Sequence, residues 1–284
     1  MDWLTGIQKA IRYIEDHITE DLDYNEIAKE AACSQFYFQR IFGILCGISL
    51  SEYIRNRRLT LAGNELVTTD QRIIDIALKY GYESPESFTR AFSKFHGISP
   101  SLARKDGSKL KSFSPLSVKI ILKGGHFMDY QIVKKEAFQV VENVETHSVI
   151  NSQNLNTIPE FWTRSWQDGT NEKLLKLSND PSHIYGICYS QTSSDEKTFE
   201  YSIAVTYDGK SEIPSEFRLK EIPERTWVVF EAHGELPQAI QDLWHNIYTE
   251  FFPTSEYQST NEMDIEVYPT NSYQYQIWIP VTKK

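Results

Sequence analysis

Sixteen residues of this chain recur with an offset of 50 positions. Ser34–Ser49 reads SQFYFQRIFGILCGIS and Ser84–Ser99 reads SPESFTRAFSKFHGIS. Seven positions are identical: Ser34/Ser84, Phe38/Phe88, Arg40/Arg90, Phe42/Phe92, Gly47/Gly97, Ile48/Ile98 and Ser49/Ser99. A repeat constrains a fold strongly, because one supersecondary unit must then be built twice. Each copy sets one polar-face arginine beside two phenylalanines that point inward. That is the pattern of a device reading one target at two equivalent points. Double-stranded DNA is the obvious such target, because its major groove returns every helical turn.

The surroundings of each copy read as helices. In 1–18 the residues Trp3, Leu4, Ile7, Ile11 and Ile14 form a helical stripe. Tyr24–Ala31 reads as a short helix with Ile27 and Ala28 inward, and Ala31, Ala32 and Cys33 make a tight connection. Ser34 then caps a helix over Gln35–Leu45, whose inner face is Phe38, Ile41, Phe42 and Leu45 and whose outer face holds Gln35, Phe36, Gln39 and Arg40. Two short helices around a tight turn, the second with a polar outer face, form a helix-turn-helix. Ser49 and Glu52 have capping-box spacing and open a proline-free rod to about Leu66. In the second copy Ile73–Tyr80 is the first helix, Gly81-Tyr-Glu the turn, and Ser84 with Pro85 the start of the second helix. Ala28 and Ala77 are offset by 49, so the second turn is one residue longer.

Net charge is −10 over 284 residues, which argues against a general nucleic-acid binder. Its distribution is uneven. Residues 1–107 hold 13 Lys/Arg against 15 Asp/Glu, giving −2, and residues 108–284 hold 16 against 24, giving −8. Arg40, Arg55, Arg57, Arg58, Arg90, Lys94, Arg104 and Lys105 cluster around the repeats. A lone surface arginine is ordinarily a solvated residue, and Arg57 and Lys105 are read that way.

Residues 8–105 resemble the DNA-binding domain of the AraC/XylS transcriptional regulators. The motifs IAKEAACSQFYFQRIFGILCGISLSEYIRNRRL and IIDIALKYGYESPESFTRAFSKFHGISPSLAR carry the resemblance. Ala32 departs from it, standing where that family usually has glycine. The resemblance implies that each second helix enters one major-groove segment. By motif position Phe36, Gln39 and Arg40 face bases in the first copy, and Glu86, Ser87 and Arg90 do so in the second, with Thr89 on phosphate. The chemistry fits: arginine reads guanine bidentately, glutamine reads adenine, and phenylalanine touches a thymine methyl.

Residues 108–127 read as a connector, with a short apolar edge strand over Val118–Leu122, and residues 128–284 as a second domain. There, strand signals at Tyr130–Val133, Phe138–Val144, Ile184–Tyr189, Phe199–Tyr207, Thr226–Ala232, Ile265–Tyr268 and Tyr275–Val281 alternate with helical signals at Ile158–Leu177 and Leu236–Phe252. The fold class expected is therefore multidomain: an all-α double helix-turn-helix domain over 1–107, then an α+β domain of two halves, each a helix over a small antiparallel sheet. The second domain resembles the GyrI-like small-molecule-binding domain through IPERTWVVFEAHGELPQAIQDLWHNIYTEFFPTSEY, DIEVYP and QIWIPV, and the domain order is similar to that of the Rob-type regulators. This resemblance implies an aromatic pocket around a buried acid that takes apolar, often cationic, ligands. Glu266 matches the acid, and Tyr268, Trp162, Trp227 and Trp278 are the aromatic candidates. Gln276 departs from the glutamate often found on the last strand. Tryptophans at 162, 166, 227 and 244 also suit plain core. Strand alternation puts Glu266 and Tyr268 on one face and Ile265 and Val267 on the other.

Other chemistries find no support. The seven histidines show no metal spacing, the three cysteines suit neither a zinc site nor a disulfide framework, and no phosphate-binding loop, dinucleotide fingerprint or nucleophile elbow appears. No apolar run is long enough to span a membrane. The reading is a cytoplasmic, non-enzymatic regulator without cofactor, metal or catalytic residue. It binds double-stranded DNA through its N-terminal half and a small-molecule effector through its C-terminal half, with RNA polymerase as a further partner. Two alternatives stay open: a GyrI-like hydrolase using Glu266 and Tyr268, fused to a DNA reader, and a ligand-independent transcription factor.

Overall fold

A computed structural model describes residues 3–105, 108–117, 128–149, 153–190 and 198–284. The chain forms two compact units, residues 1–33 with 48–121 and residues 34–47 with 122–284. The segment 34–47, the first copy of the repeat, is thus grouped with the C-terminal region and not with the helices beside it in sequence. The edge strand expected over Val118–Leu122 lies outside the described residues.

Among the described residues up to 105 there are seven helices: α1 (Trp3–Asp16), α2 (Tyr24–Glu30), α3 (Gln35–Cys46), α4 (Leu50–Thr68), α5 (Ile73–Lys79), α6 (Pro85–His96) and α7 (Pro100–Ala103). The shared serines and glycines of the repeat are helix ends. Ser34 Oγ accepts from the Tyr37 amide at 3.2 Å and Ser84 Oγ from the Ser87 amide at 3.1 Å. Gly47 and Gly97 close the same helices at φ of 67° and 81°. The turns before them also correspond. The Cys33 amide returns to the Ala28 carbonyl and the Tyr82 amide to the Ala77 carbonyl, around left-handed residues Ala32 (φ 54°) and Gly81 (φ 81°). Ala32 therefore adopts the glycine conformation its place in the motif demands, at a steric cost of about 1–2 kcal/mol.

In the first unit α4 is the rod. Its Leu59, Ala62 and Leu66 pack with Ile76, Ala77, Tyr80, Phe88, Phe92 and Ala103 of α5, α6 and α7. Arg57 corrects the expectation of a solvated side chain. It is only 6 % exposed, its Nε and Nη2 donate to the Glu15 carboxylate at 2.8–3.1 Å, and its Nη1 donates to the Phe113 carbonyl at 2.6 Å. It clamps α4 to α1 and to the following chain.

The second unit is built on β1 (Tyr130–Lys135), β2 (Phe138–Ser148), β3 (His183–Tyr189), β4 (Thr198–Thr206), β5 (Arg218–Ile222), β6 (Arg225–His233), β7 (Tyr257–Ser259), β8 (Met263–Pro269) and β9 (Gln274–Lys283). They form one antiparallel sheet in the order β1-β6-β9-β8-β3-β4-β2-β5, with β7 paired to β9. The two expected halves are present and fused edge to edge, because β8 pairs with β3 along its length. Each half has the same internal order, β8-β9-β6 against β3-β4-β2, and exchanges an outer strand: β1 joins the later half and β5 the earlier. Strands β5 and β7 escaped the sequence reading. The first is a short edge strand rich in charge (RLKEI) and the second has three residues.

Helices α8 (Asn154–Gln167), α9 (Thr170–Lys176), α10 (Gln238–Asn246) and α11 (Phe252–Thr254) accompany the sheet. The single helix expected over Ile158–Leu177 is broken at Gly169, whose φ is 79°. The helix expected to run to Phe252 passes at Ile247–Phe251 into a wider five-residue turn. One sheet face packs with the α8 and α9 residues Phe161, Trp162 and Leu174, through Ile184, Cys188, Tyr201 and Ile203. The other buries Tyr185, Ile187, Trp227, Val229, Ile265 and Val267 among strands alone. Glu142, with no exposure, is satisfied by the Tyr189 hydroxyl at 2.7 Å and by Arg218 Nε at 2.7 Å.

Candidate functional site

On α6 the outward positions Glu86, Arg90 and Lys94 are exposed and spaced by one helical turn. They form a short polar ridge, with Arg90 at its centre. Ser87 and Thr89 flank it half-buried, and the Ser87 hydroxyl is spent on the Ser84 carbonyl at 2.8 Å.

The corresponding face of α3 is covered. Phe36 is 3 % exposed and stacks on Phe199 of β4 at 4.2 Å between ring centroids. The hydroxyls of Tyr37 and Tyr248 share a hydrogen bond of 2.7 Å. Arg40 pairs with Asp264 of β8 and lies over the Trp244 ring of α10 at 4.4 Å. Gln39 is half-buried and its amide nitrogen meets no partner among the described residues. The local cause is composition. The outer face of α3 carries Phe36 and Tyr37 where α6 carries Glu86 and Ser87, so α3 is apolar nearly all round and behaves as a buried helix.

Next to Arg40 is the predicted acid. Glu266 is half-buried and accepts from Trp244 Nε1 at 2.8 Å on one oxygen and from the Tyr268 hydroxyl at 2.8 Å on the other. The Tyr201 hydroxyl stands 3.5 Å from that second oxygen, at the limit of hydrogen bonding, and itself accepts from Trp162 Nε1 at 3.0 Å. Trp162 meets Tyr268 edge-on at 5.0 Å. The cluster is thus one carboxylate under four aromatic side chains, with Asp264 two residues away on the same strand face. Register sets Gly186 of β3 opposite Glu266, and a Cβ at Gly186 would overlap the Tyr201 hydroxyl and lie 3.3 Å from Trp162. The absent side chain is what admits the network.

Electrostatics follow burial. Desolvation pushes the Asp264 carboxyl above the usual carboxylate range, against the pull of Arg40. Burial opposes the charge on Arg40, but the carboxyl groups of Asp264 and Glu266 beside it outweigh that and raise its pKa. The Tyr201 and Tyr268 phenols are pushed well above their ordinary value by burial and by Glu266.

Of the five predicted ligand residues the structure brings three together: Glu266, Tyr268 and Trp162. Trp227 and Trp278 lie on the other face of the sheet. Trp227 is fully buried with Val229, Ile265 and Val267, and Trp278 packs against the same cluster. Strand alternation is the reason, since β8 sends Ile265 and Val267 to that face. Gln276 is there too, accepting from Trp278 Nε1 at 2.9 Å, so the glutamate missing at 276 is not missing from the Glu266 cluster. Sequence reasoning missed Asp264, Tyr201 and the role of Trp244. Asp264 was accessible to the same alternation that placed Glu266 and Tyr268. Tyr201 and Trp244 come from elements far apart in the chain, and no local signal marks them.

Residues 27–106 match the family described as a helix-turn-helix domain, and residues 131–281, which is 151 of 284, match the family described as an integron-associated effector binding protein. These halves define a class of protein in which a DNA-reading helical region is joined to an effector-binding sheet domain. The chain belongs to the AraC-type transcriptional regulators and carries an effector-binding domain of the integron-associated, GyrI-like kind. It is similar to the regulatory protein SoxS of Salmonella typhimurium, 42% identical over 34% of this chain and 89% of that one. It is similar along most of its length to the transcriptional regulator Rob of the same organism, 26% identical over 94% of this chain and 91% of that one. It also resembles the HTH-type transcriptional regulator YbfP of Bacillus subtilis at 38% identity, over 45% of each chain. This alignment spans less than half of YbfP. Among the described residues no helix is long and apolar enough to cross a membrane.

Proposed function

We propose that this protein regulates transcription in the cytoplasm by binding a specific DNA site, and that an apolar organic cation bound at the Glu266 cluster controls it. The observation that carries the effector reading is the cluster itself: Glu266 sits under Trp244, Tyr268, Tyr201 and Trp162, beside a second buried acid. Buried carboxylates are costly without a cation, and aromatic faces attract one. The DNA reading rests on the exposed ridge of α6 and on the family. Its candidate base contacts are Glu86, Ser87 and Arg90, with Thr89 on phosphate, and Phe36, Gln39 and Arg40 once α3 is free. RNA polymerase is the further partner that an activator of this class would touch.

The test has two arms. Titration of tetraphenylphosphonium, a bulky aryl cation, into the full chain by calorimetry should give saturable binding that Glu266→Gln weakens at least tenfold. Arg90→Ala should weaken binding to a duplex selected by the wild-type chain from a random pool by about 1–3 kcal/mol. Equal cation binding in Glu266→Gln, or full DNA affinity in Arg90→Ala, refutes the corresponding half. The alternative hydrolase reading draws on the contact between Glu266 and Tyr268, and turnover of a reactive small molecule that Glu266→Gln abolishes would favour it over saturable binding without product.

A further inference from the structure

The two copies of the repeat expose the same face differently. On α6, Glu86 and Arg90 are in solvent. On α3, Phe36 and Arg40, at the equivalent positions 50 residues earlier, are packed with residues of the C-terminal region. Among the contacts that hold that face are Phe36 on Phe199, Tyr37 on Tyr248, Arg40 with Asp264, and Arg40 over Trp244. The face that must enter a groove is therefore already bound.

Trp244 links this dock to the acid cluster. One face of its indole receives Arg40, and its N–H goes to Glu266. Arg40 occupies the place of a cationic ligand: a delocalised planar cation, over an aromatic ring, against a buried carboxylate whose other oxygen, Asp264 Oδ1, has no hydrogen-bond partner among the described residues. We infer that the C-terminal domain recognises the Arg40 side chain of α3 as an internal ligand, so that an organic cation seated at Asp264, Glu266 and Trp244 and a DNA site engaged by α3 are both alternatives to the docked helix. This rests on the reading of α3 and α6 as DNA-contacting helices.

Thermodynamics fixes the sign. The docked state binds DNA through α6 alone, and the free state through both helices. Anything that weakens docking raises DNA affinity by the fraction of molecules it releases. The coupling is reciprocal, so bound DNA must raise affinity for the cation by the factor by which the cation raises affinity for DNA.

The experiment uses the full chain and a duplex selected from a random pool by the wild-type protein, with affinity read by fluorescence anisotropy at fixed salt and without any cation. Asp264→Asn removes the charge opposite Arg40, and Tyr248→Phe removes only the hydroxyl facing Tyr37. Neither residue belongs to the DNA-contacting set. Each variant is expected to bind the duplex about 3–10-fold more tightly than wild type, corresponding to the loss of one hydrogen bond or ion pair. Arg90→Ala is measured alongside. Tighter binding by either variant supports the dock. If both match or fall below wild type while Arg90→Ala loses affinity, the docking inference is overturned and the DNA reading survives. If Arg90→Ala keeps full affinity, the DNA reading fails and takes the inference with it.

Discussion

Arg40 and Arg90 stand at the same position of one repeated motif, so replacing each by alanine isolates what their surroundings do. Arg90 is exposed, and its truncation should alter folding stability by less than about 0.5 kcal/mol. Arg40 is different. Its side chain is 14% exposed and that of Asp264 only 2%. In Arg40→Ala, Asp264 Oδ2 loses its partner and Oδ1 already lacks one among the described residues. Stripping the partner from a buried charge costs about 3–5 kcal/mol while the charge persists, and the contact with Trp244 adds about 0.5–1 kcal/mol. The acid has an escape, because it can take a proton. Burial already raises the Asp264 pKa in the folded protein above the unfolded value near 3.8, and removing Arg40 raises it further. A carboxyl with a raised folded pKa destabilises the fold when ionised, and that penalty fades as pH falls below the folded value. The loss in Arg40→Ala should thus be about 3–4 kcal/mol at pH 7.5. It should shrink by up to about 1.4 kcal/mol for each pH unit across the range in which the variant's Asp264 titrates. Urea unfolding followed by tryptophan emission suits the measurement, since five of the six tryptophans (Trp162, Trp166, Trp227, Trp244 and Trp278) lie in the C-terminal region. With a slope of about 2 kcal/mol/M the midpoint should fall by about 1.5–2 M at pH 7.5 and distinctly less at pH 5.5. A loss independent of pH, or no larger than that of Arg90→Ala, would refute the burial argument.

Three further outcomes are expected. Ala32→Gly relieves a left-handed alanine at φ 54° and should stabilise the helical unit by about 0.5 kcal/mol net of the added chain entropy, read as a small rise in Tm. Among the described residues Arg218→Ala leaves Glu142, which has no exposure, with Tyr189 as its side-chain partner, and should cost about 2–3 kcal/mol, less than a wholly buried pair because Arg218 is 40% exposed; urea unfolding of Arg218→Lys should show part of that recovered. Stability should also decline on acidification. His96 places its Nε2 on the Leu59 carbonyl at 3.0 Å and its Nδ1 opposite the Lys111 amide at 3.1 Å, which suits the neutral ring, and burial lowers its pKa below the ordinary 6.5, as it does for His147. Depressed histidines hold fewer protons folded than unfolded, so stability is full above about pH 6.5 and falls as pH drops through it. A flat Tm between pH 7.5 and 5.5 would contradict this.

The helical half was legible because its signals are local. Serine caps, glycine ends and phenylalanines one turn apart each act within a few residues, and the repeat prints them twice. Even the strain at Ala32 was visible as a departure from glycine. The sheet was legible in its long strands and obscure at β5, where charge on an edge hides the alternation. The acid cluster was half legible. Alternation along β8 placed Glu266 and Tyr268 together, and the same rule separates them from Trp227 and Trp278 once pairing with β9 is known. The occupancy of α3 was not legible. Phe36 sits on a face that the resemblance assigns to DNA, and an aromatic there serves a thymine methyl or a protein surface equally well. Arg57 escaped for a similar reason: its partner Glu15 lies 42 positions away and no spacing rule connects them.

Gly186 lends itself to a different use. Room for the Tyr201 hydroxyl beside Glu266 exists only because position 186 has no side chain. A single methyl there would displace that hydroxyl while lying on β3, outside both copies of the repeat. If the Glu266 cluster holds the effector as proposed, Gly186→Ala is a way to deafen the protein by a change that lies on neither α3 nor α6, and a strain carrying it would show what the regulator does when it hears nothing.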